Sequence, residues 1–435
     1  MRRVLIITYY WPPVGGAGVQ RWLKHAKYLH DYGWEPVIYT AANPDLSVRD
    51  DSLLQDVQPS QEVLRTAVWE PYDLYRKLTG AGASDAVGHG FTEGKRKKGI
   101  MQRAGMWVRA NLFIPDARRF WIRPSVQFLN TYLRDNPVDI IISTGPPHTT
   151  HLIARKVHAA TGISWVADFR DPWTNNDFFA RLPLTNWARR IHEKLELKVL
   201  QAATRVVTVS PSWAKEMQAR SGRSVDVITN GYDEDDFKKL LPVDPQQFLV
   251  LHAGSMYTDR NPVALWQAIA RLLRDDPGMA EVLRIQLVGN IDSGVWSAAR
   301  DAGVDHVVDV IGYESHAAVL QRMQHAAVLL LLLNDSPDVQ GRIPGKLFEY
   351  LAADRPVLCI GEPLGDSAGI IDDCGAGVNA HFNDTEKMAV ALCDWYLHWK
   401  QGTLPSHSGK MQTYSRKHCA KAYAELFQQL PAKGQ

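Results

Sequence analysis

The chain has little cysteine. Its four residues of that type, Cys359, Cys374, Cys393 and Cys419, all fall in the last quarter of 435 residues, and none stands in a C-x-x-C pair. Neither a disulfide framework nor a thiolate metal site can be read from that spacing, so free thiols in a reducing cytoplasm are expected. Histidines are scattered and no H-E-x-x-H helix is present, so no protein-built metal site is expected either. Long apolar runs are missing too. The longest, Ala326 to Leu333, is eight residues, far short of the ~18–20 that a membrane span needs. The opening "MRRVLIITYYWPP" places charge before apolar residues, as an export signal would. Its apolar core is short, however, and Tyr9, Tyr10 and a proline pair follow at once. A first β-strand and no export are expected. Net charge is only +2, so bulk charge argues for neither nucleic acid nor an acidic substrate.

What is present is alternation. Short β-branched or apolar runs ("RVLIITYY", "EPVIYT", "DIIISTG", "SWVADF", "RVVTVS", "VDVITNG") are separated by helical patterns such as Ala17 to Tyr32, where Val19, Trp22, Leu23, Ala26 and Leu29 recur at helical spacing. The pattern restarts after the acidic "TNGYDEDDFKKLLPVDPQQ" with "FLVLHAG", "RIQLVG", "VDVIGY", "AVLLLLL", "RPVLCIG" and "GVNAHF". Continuous apolar strands imply parallel sheets covered on both faces. The fold class expected is α/β, with two Rossmann-like, doubly wound domains at 1–235 and 236–406. A last segment, 407–435, is expected to be mainly one helix, with Cys419, Tyr423, Leu426 and Leu430 on one face.

Residues 80–105 break the alternation. Glycine is dense there, and Lys95, Arg96, Lys97 and Lys98 form a basic run. Between Asp85 and Arg123 stand nine Lys or Arg against Asp85, Glu93 and Asp116, with Trp107, Phe113, Phe120 and Trp121 among them. A solvated loop accounts for this composition. So does a peripheral contact of 85–123 with anionic lipid headgroups. Nucleic acid is a weaker third reading, since no nucleic-acid module surrounds the region.

Two segments carry phosphate chemistry. In "YYWPPVGGAGVQR", Gly15, Gly16 and Gly18 precede a helix whose N–H groups and dipole would suit a phosphate; a tight turn with no ligand fits the same residues. A dinucleotide fingerprint would want glycine at position 21, which is Arg21, and no acid follows the second strand at Thr40 and Ala41. Hydride transfer is therefore disfavoured. In "RIPGKLFEYLAADRPVLCIG", Pro344 and Gly345 open a helix. Lys346, Glu349 and Tyr350 share one face, and Leu347 and Leu351 another. A lysine at a helix start is badly placed unless an anion sits there. The alternative is a local Lys346–Glu349 pair, worth only ~0.3 kcal/mol.

"PGKLFEYLAADRPVL" resembles the nucleotide-sugar signature of retaining glycosyltransferases of family 4, which have the GT-B fold. "TNGYDEDDF" resembles that family's interdomain segment, "LHAGSMYTDRNP" its donor-site strand and loop, and the final helix the one that crosses back onto the first domain. The resemblance implies two domains facing across a cleft and transfer of a sugar from a nucleoside diphosphate sugar. The acceptor would be a saccharide or polyprenyl-linked saccharide, the configuration would be retained, and the setting would be surface polysaccharide synthesis. No cofactor or bound metal is implied, and the site would be cytoplasmic, at the inner face of the membrane if 85–123 docks there. Lys346 and Arg260 would grip the diphosphate, neutralising the charge of the leaving group. Glu349 would bind the ribose, and Gly15–Gly16 would face the diphosphate. Gly254, Gly345 and Leu347 stand in the same donor-site motifs.

The sequence departs from the family pattern in three places. Gly341 stands where the family has a first glutamate, Ser255 where it has an arginine, and Arg260 where it has a lysine; Asp338 or backbone N–H groups are the candidates to substitute at the first. On the acceptor side, "STGPPHTTH" holds Ser143, Thr144, Gly145, His148 and His151, and "ADFRDPW" holds Asp168, Arg170, Asp171 and Trp173, both just past strand ends. Asp171, His148 and Asp168 are the catalytic candidates, able to position an acceptor hydroxyl and take its proton. An Arg170 ion pair with Asp168 or Asp171, and His148 as a helix cap, are the structural alternatives. A sugar-nucleotide epimerase of similar fold and a non-catalytic nucleotide-sugar-binding protein remain the competing functions.

Overall fold

The computed structural model describes residues 1–44, 49–69, 100–336, 338–407 and 409–431. The run Lys95–Lys98 and the rest of 85–99 lie outside them. The chain forms two compact units, 1–229 with 419–435, and 230–418.

The first unit holds seven parallel strands: β1 (Arg2–Ile7), β2 (Trp34–Ala41), β3 (Glu62–Thr66), β4 (Ile140–Gly145), β5 (Ser164–Phe169), β6 (Arg205–Thr208) and β7 (Asp226–Val227), in the order β3-β2-β1-β4-β5-β6-β7. The order reverses at β1, where Leu5 sits between Val37 and Ile141. Leu5 and Ile7 pack into one core with Trp121, Ile153 and Trp165, while Val4 and Ile6 pack into another with Trp22, Leu23 and Tyr423. Both faces are thus covered, which is why β1 is apolar at successive positions rather than alternate ones. Each large side chain buried this way contributes about 1.5–3 kcal/mol. Strand β3 was not expected from the sequence. It is an edge strand, only partly buried and containing Glu62 and Arg65, so it lacks the continuous apolar run.

The C-terminal helix, Arg416–Gln428, is shorter than the expected 407–435. From Cys419 onward it belongs to the first unit. Cys419, Tyr423 and Leu426 are buried there, and Phe427 meets Trp34 edge-on at 5.0 Å. The helix covers the same sheet face as the helix Ala17–Leu29.

The second unit holds β8 (Phe248–Ala253), β9 (Leu283–Val288), β10 (Val308–Ile311), β11 (Val328–Leu332), β12 (Val357–Ile360) and β13 (Gly377–Ala380), all parallel, in the order β10-β9-β8-β11-β12-β13. The leucine run of β11 is divided between faces: Leu330 and Leu332 enter one core, Leu329 and Leu331 the other. The helix Gly345–Ala352 lies on the second face through Leu347, Phe348 and Leu351. Within this unit Tyr232 N–H donates to Tyr414 O (3.1 Å) and Arg416 N–H to Tyr232 O (2.7 Å). A Cβ on Gly231 would collide with Tyr414 O, which explains the glycine of "TNGYDEDDF".

Candidate functional site

In the second unit the candidate residues converge on the end of β8. The strand leaves Ala253 and turns at Gly254, whose φ of +132° suits glycine. Gly254 N–H donates to Val288 O at 2.7 Å. A Cβ on Gly254 would collide with Lys346 Nζ, and one on Gly289 (φ +129°) would lie 2.9 Å from Gly254 O. Two glycines therefore let Lys346 pass beneath the turn. Lys346 Nζ donates to Ala253 O. Among the described residues no carboxylate lies within ion-pairing distance of it. Burial pushes the Lys346 ammonium down to about 7, Arg260 pushes the same way, and Glu349 opposes them only in part.

Arg260 closes a short 3-10 turn, Thr258–Arg260. Its Nε donates to Asn334 Oδ1 at 2.5 Å and its Nη1 lies 3.3 Å from Ser255 O. The helix Gly345–Ala352 begins at Pro344, which is its N-cap rather than a first-turn residue, with no side-chain cap and no acid in the first turn. Leu347 N–H is closed onto Pro344 O at 3.0 Å, which leaves the amides of Gly345 and Lys346 at the helix start. Tyr350 is buried, its hydroxyl accepting from Ala253 N–H at 3.0 Å, so it braces the strand end.

Glu349 does not pair with Lys346. Its carboxylate lies 3.9 Å from His316 Nε2, and the same nitrogen lies 3.8 Å from Asp236. The side chain keeps 30% of its surface exposed. Burial raises the carboxyl's pKa and Asp236 adds to the effect, against His316, Arg416 and Lys346. Gly341 lies in a buried 3-10 turn, Val339–Gly341. Asp338 is already engaged, accepting from Ser336 Oγ (2.7 Å) and Arg342 Nη2 (2.6 Å).

In the first unit Gly16 is the N-cap of the helix Ala17–Leu29, with φ +95° and no side-chain cap. Gly15 is half-buried and Gly16 exposed. The acceptor-side candidates fall into two groups. Asp168 is fully buried and accepts from Arg21 Nε (3.2 Å) and Nη2 (3.0 Å), Trp22 Nε1 (2.7 Å), Thr144 Oγ1 (2.9 Å) and Tyr423 Oη (2.9 Å). Burial alone would raise its pKa, but the Arg21 charge and the donors outweigh it and hold the carboxyl below its ordinary value. Its ionic partner is Arg21 and not Arg170. Arg170 instead donates to the carbonyls of Gly18 (2.7 Å) and Pro146.

The second group is a pair of buried imidazoles. His148 is the N-cap of the helix Thr149–Thr161, yet its ring makes no capping bond; Thr149 N–H donates to Asp116 Oδ2 at 2.9 Å. The ring stacks on Trp173 at 4.5 Å and 3°. His151 stacks on Phe169 at 4.4 Å, and its Nδ1 lies 2.8 Å from Ser143 Oγ. Trp165 Nε1 already donates to that oxygen at 2.9 Å. Ser143 Oγ can still exchange a hydrogen bond with His151 Nδ1, in a direction set by the imidazole tautomer. Burial keeps both rings neutral, holding His148 well below its ordinary range and His151 at about 3. His148 Nδ1 and His151 Nε2 have no hydrogen-bond partner among the described residues. They converge: a Cβ on Gly145 would lie 2.6 Å from His151 Nε2 and 3.1 Å from His148 Nδ1. Asp171 follows on the exposed side of the loop.

Sequence reasoning missed Arg21 as the partner of Asp168, and Trp165 as the donor to Ser143 Oγ. Arg21 had a signal: it stands at the position where a dinucleotide fingerprint would carry glycine.

Comparison with known proteins bears on the fold. The family model described as a glycosyl transferase 4-like domain matches residues 15–231. A search of curated proteins by sequence finds no match. Among solved structures the chain is similar to sucrose-phosphate synthase of Thermosynechococcus elongatus (15% identity, 99% of each chain, TM-score 0.63). It is similar also to HepE of Anabaena in complex with UDP-glucose (13%, 99% of this chain and 100% of that one, 0.61). WaaG, a glycosyltransferase involved in lipopolysaccharide biosynthesis, is a third (14%, 98% and 100%, 0.57). Residues 15–231 thus resemble a glycosyl transferase 4-like domain, in a chain whose two parallel-sheet units have the GT-B fold.

Proposed function

We propose that the chain transfers a sugar from a nucleoside diphosphate sugar to a saccharide or lipid-linked saccharide, with retention of configuration. The observation that carries this reading is Lys346: a half-buried ammonium at a helix start, beside Arg260, with a backbone carbonyl and, among the described residues, no carboxylate to hold it. Taking such a charge from water without a partner is costly, and a bound diphosphate supplies the missing anion. Lys346 and Arg260 neutralise the leaving diphosphate, and the amides of Gly345 and Lys346 add the helix-start dipole. These fixed cations take the part that a metal would otherwise play. Glu349, which is partly exposed and not tied to Lys346, accepts from the ribose hydroxyls. Gly254 is the residue that lets the ammonium reach the phosphate.

On the acceptor side, His148 Nδ1 and His151 Nε2 hold a hydroxyl between them. Asp171, exposed on the loop after β5, is the surface carboxylate offered for the same role. Asp168 acts through Arg21 as a positioning residue. Retention follows where the departing diphosphate itself takes the acceptor's proton on the face that it leaves.

Thermal unfolding with UDP, GDP, ADP, dTDP and NAD, on the native chain and Lys346→Ala, tests the donor site. A ligand at ~100 times its Kd adds about 2.7 kcal/mol. Stabilisation by one nucleoside diphosphate, lost in the variant, is the expected result; stabilisation by NAD alone would overturn it. Turnover that needs no acceptor would point to an epimerase, and an inverted product anomer would refute retention.

A further inference from the structure

We infer that His252 is a positioning residue of the donor site, its Nε2 lone pair holding the Lys346 side chain beneath the Gly254 turn and favouring the charged amine while no diphosphate is bound. The assignment deepens the donor-site reading, and rests on it for what Lys346 grips.

Strand β8 is buried at every position, and His252 is its one polar side chain. A histidine at 0% exposure has two ring nitrogens to satisfy. Nδ1 is satisfied, lying 2.9 Å from Leu330 O. A carbonyl only accepts, so Nδ1 carries the proton of the neutral ring and Nε2 keeps a lone pair. Tyr350 Oη donates to the same carbonyl at 3.4 Å while accepting from Ala253 N–H. The ring is therefore fixed by the neighbouring strand β11, and its tautomer with it.

Nε2 has no hydrogen-bond partner among the described residues. It faces the glycine turn: a Cβ on Gly254 would lie 3.9 Å from it and would collide with Lys346 Nζ. The two nitrogens thus border the volume left by one missing side chain. By the period of a strand His252 belongs with Phe248 and Val250 on one sheet face, and the helix Gly345–Ala352 lies on the other. Gly254 is what brings a lysine of one face to a histidine of the other.

Lys346 has three N–H donors, and one is directed at Ala253 O. A neutral imidazole with its proton on the far nitrogen turns the negative end of its dipole toward the ammonium. The ring is kept neutral: burial, then Lys346 and Arg260, hold it well below its ordinary range, against the carbonyls of Leu330 and Gly254. The charged groups facing Lys346 are Arg260 and Glu349, which act in opposite directions. His316, Arg416 and Asp236 face Glu349 in turn.

The test is the pH dependence of Lys346 acetylation by acetic anhydride in the ligand-free full chain, read by mass spectrometry of the peptide that carries it. The native midpoint should lie at about 7. His252→Leu, which deletes the lone pair, should lower that midpoint by about one pH unit, the loss of one interaction with a charged donor. His252→Gln, which keeps an acceptor oxygen, should restore most of it, and a cooperative melting transition in each variant shows that it is folded. By the same shift, affinity for inorganic diphosphate should be about tenfold lower in His252→Leu at pH 8 or so, and near native at roughly pH 5. An unmoved midpoint in His252→Leu would overturn the proposal, as would an equal displacement in both variants, which would assign the effect to packing. A native chain that binds no diphosphate, with the midpoint still moved by His252→Leu, would refute the donor-site reading while upholding the coupling of His252 to Lys346.

Discussion

Replacing Asp168 with asparagine removes one charge and little volume, yet it should be among the most destabilising changes in the first unit. Asp168 and Arg21 are both essentially inaccessible to solvent. Arg21 also donates to Thr229 O (2.7 Å), Ile228 O (2.8 Å) and Tyr423 Oη (2.8 Å). Asp168→Asn leaves the guanidinium buried with no countercharge, for which a loss of about 3–5 kcal/mol is expected. For a unit of this size that is a fall in Tm of roughly 10 °C. Tyr423→Phe, which deletes a hydrogen bond to each charged partner, should cost about 1.5–3 kcal/mol. The pH dependence has a definite sign. The carboxyl is held below its ordinary value when folded, so its contribution is present above about pH 3.9, the unfolded value, and is lost as pH falls through the folded one. Calorimetric unfolding of native chain and variant across that acid range measures both effects: the native transition should drop on acidification more steeply than that of Asp168→Asn. A variant Tm within 2–3 °C or so of native at neutral pH, roughly 1 kcal/mol, would refute the buried-pair reasoning, as would parallel acid profiles.

Three further outcomes follow from the second unit. Lys346 has its pKa depressed to about 7 by burial and Arg260. The ligand-free chain should therefore gain stability as pH rises from 7 toward 10, while diphosphate affinity falls over the same interval; titration calorimetry and melting of native chain and Lys346→Met check both trends, and the variant should show neither. Gly254→Ala forces a Cβ into Lys346 Nζ at a φ of +132°, so nucleoside diphosphate affinity should fall by tenfold or more for a strain cost of about 1–3 kcal/mol, read by titration against melting temperature. Glu349→Gln should weaken a ribonucleoside diphosphate by roughly tenfold or more, the loss of a hydrogen bond to a charged acceptor. It should do so far more than it weakens inorganic diphosphate, which has no ribose.

Much of this architecture was legible in residue order. The leucine run at Ala326–Leu333 and the β1 run are apolar at successive positions because each is buried on both faces, and that pattern announces a parallel sheet. Edge strand β3 was illegible for the converse reason: Glu62 accepts from Arg3 Nη2 at 2.6 Å and from Tyr132 Oη at 2.6 Å, so its stabilisation is polar and leaves no hydrophobic signature. Spacing puts Lys346, Glu349 and Tyr350 on one helix face, but Gly254 joins Lys346 only through the resemblance to the glycosyltransferase family, because a strand end and a helix start far apart in sequence carry no signal of their meeting. The pairing of Asp168 with Arg21 could not, because it joins residues 147 positions apart. Nothing local distinguishes Arg21 from Arg170 as the partner.

Two cations withdrawn from solvent to different degrees, Arg21 buried and Lys346 half-buried, show why burial alone does not assign a role. Arg21 and Lys346 each sit close to a loop that could receive phosphate. Around Arg21, a carboxylate, a tyrosine hydroxyl and two carbonyls saturate the guanidinium, and its pKa is raised: burial opposes the charge, but Asp168 and Tyr423 outweigh burial. That cation has no capacity left for a ligand, and removing its partner costs stability. Around Lys346 a single carbonyl is the only acceptor among the described residues, the nearby glutamate lies by His316, and the pKa is depressed. Here the folded chain tolerates a charge it does not neutralise, and an anion arriving from solvent would restore the balance. The same contrast predicts opposite responses to a neutral substitution: Arg21→Met, which strands Asp168, should unfold the first unit more readily, whereas Lys346→Met should leave the second unit as stable or more so and abolish diphosphate binding. A Lys346→Met chain that melts several degrees below native would mean that the ammonium is structural, and the diphosphate assignment would fall with it.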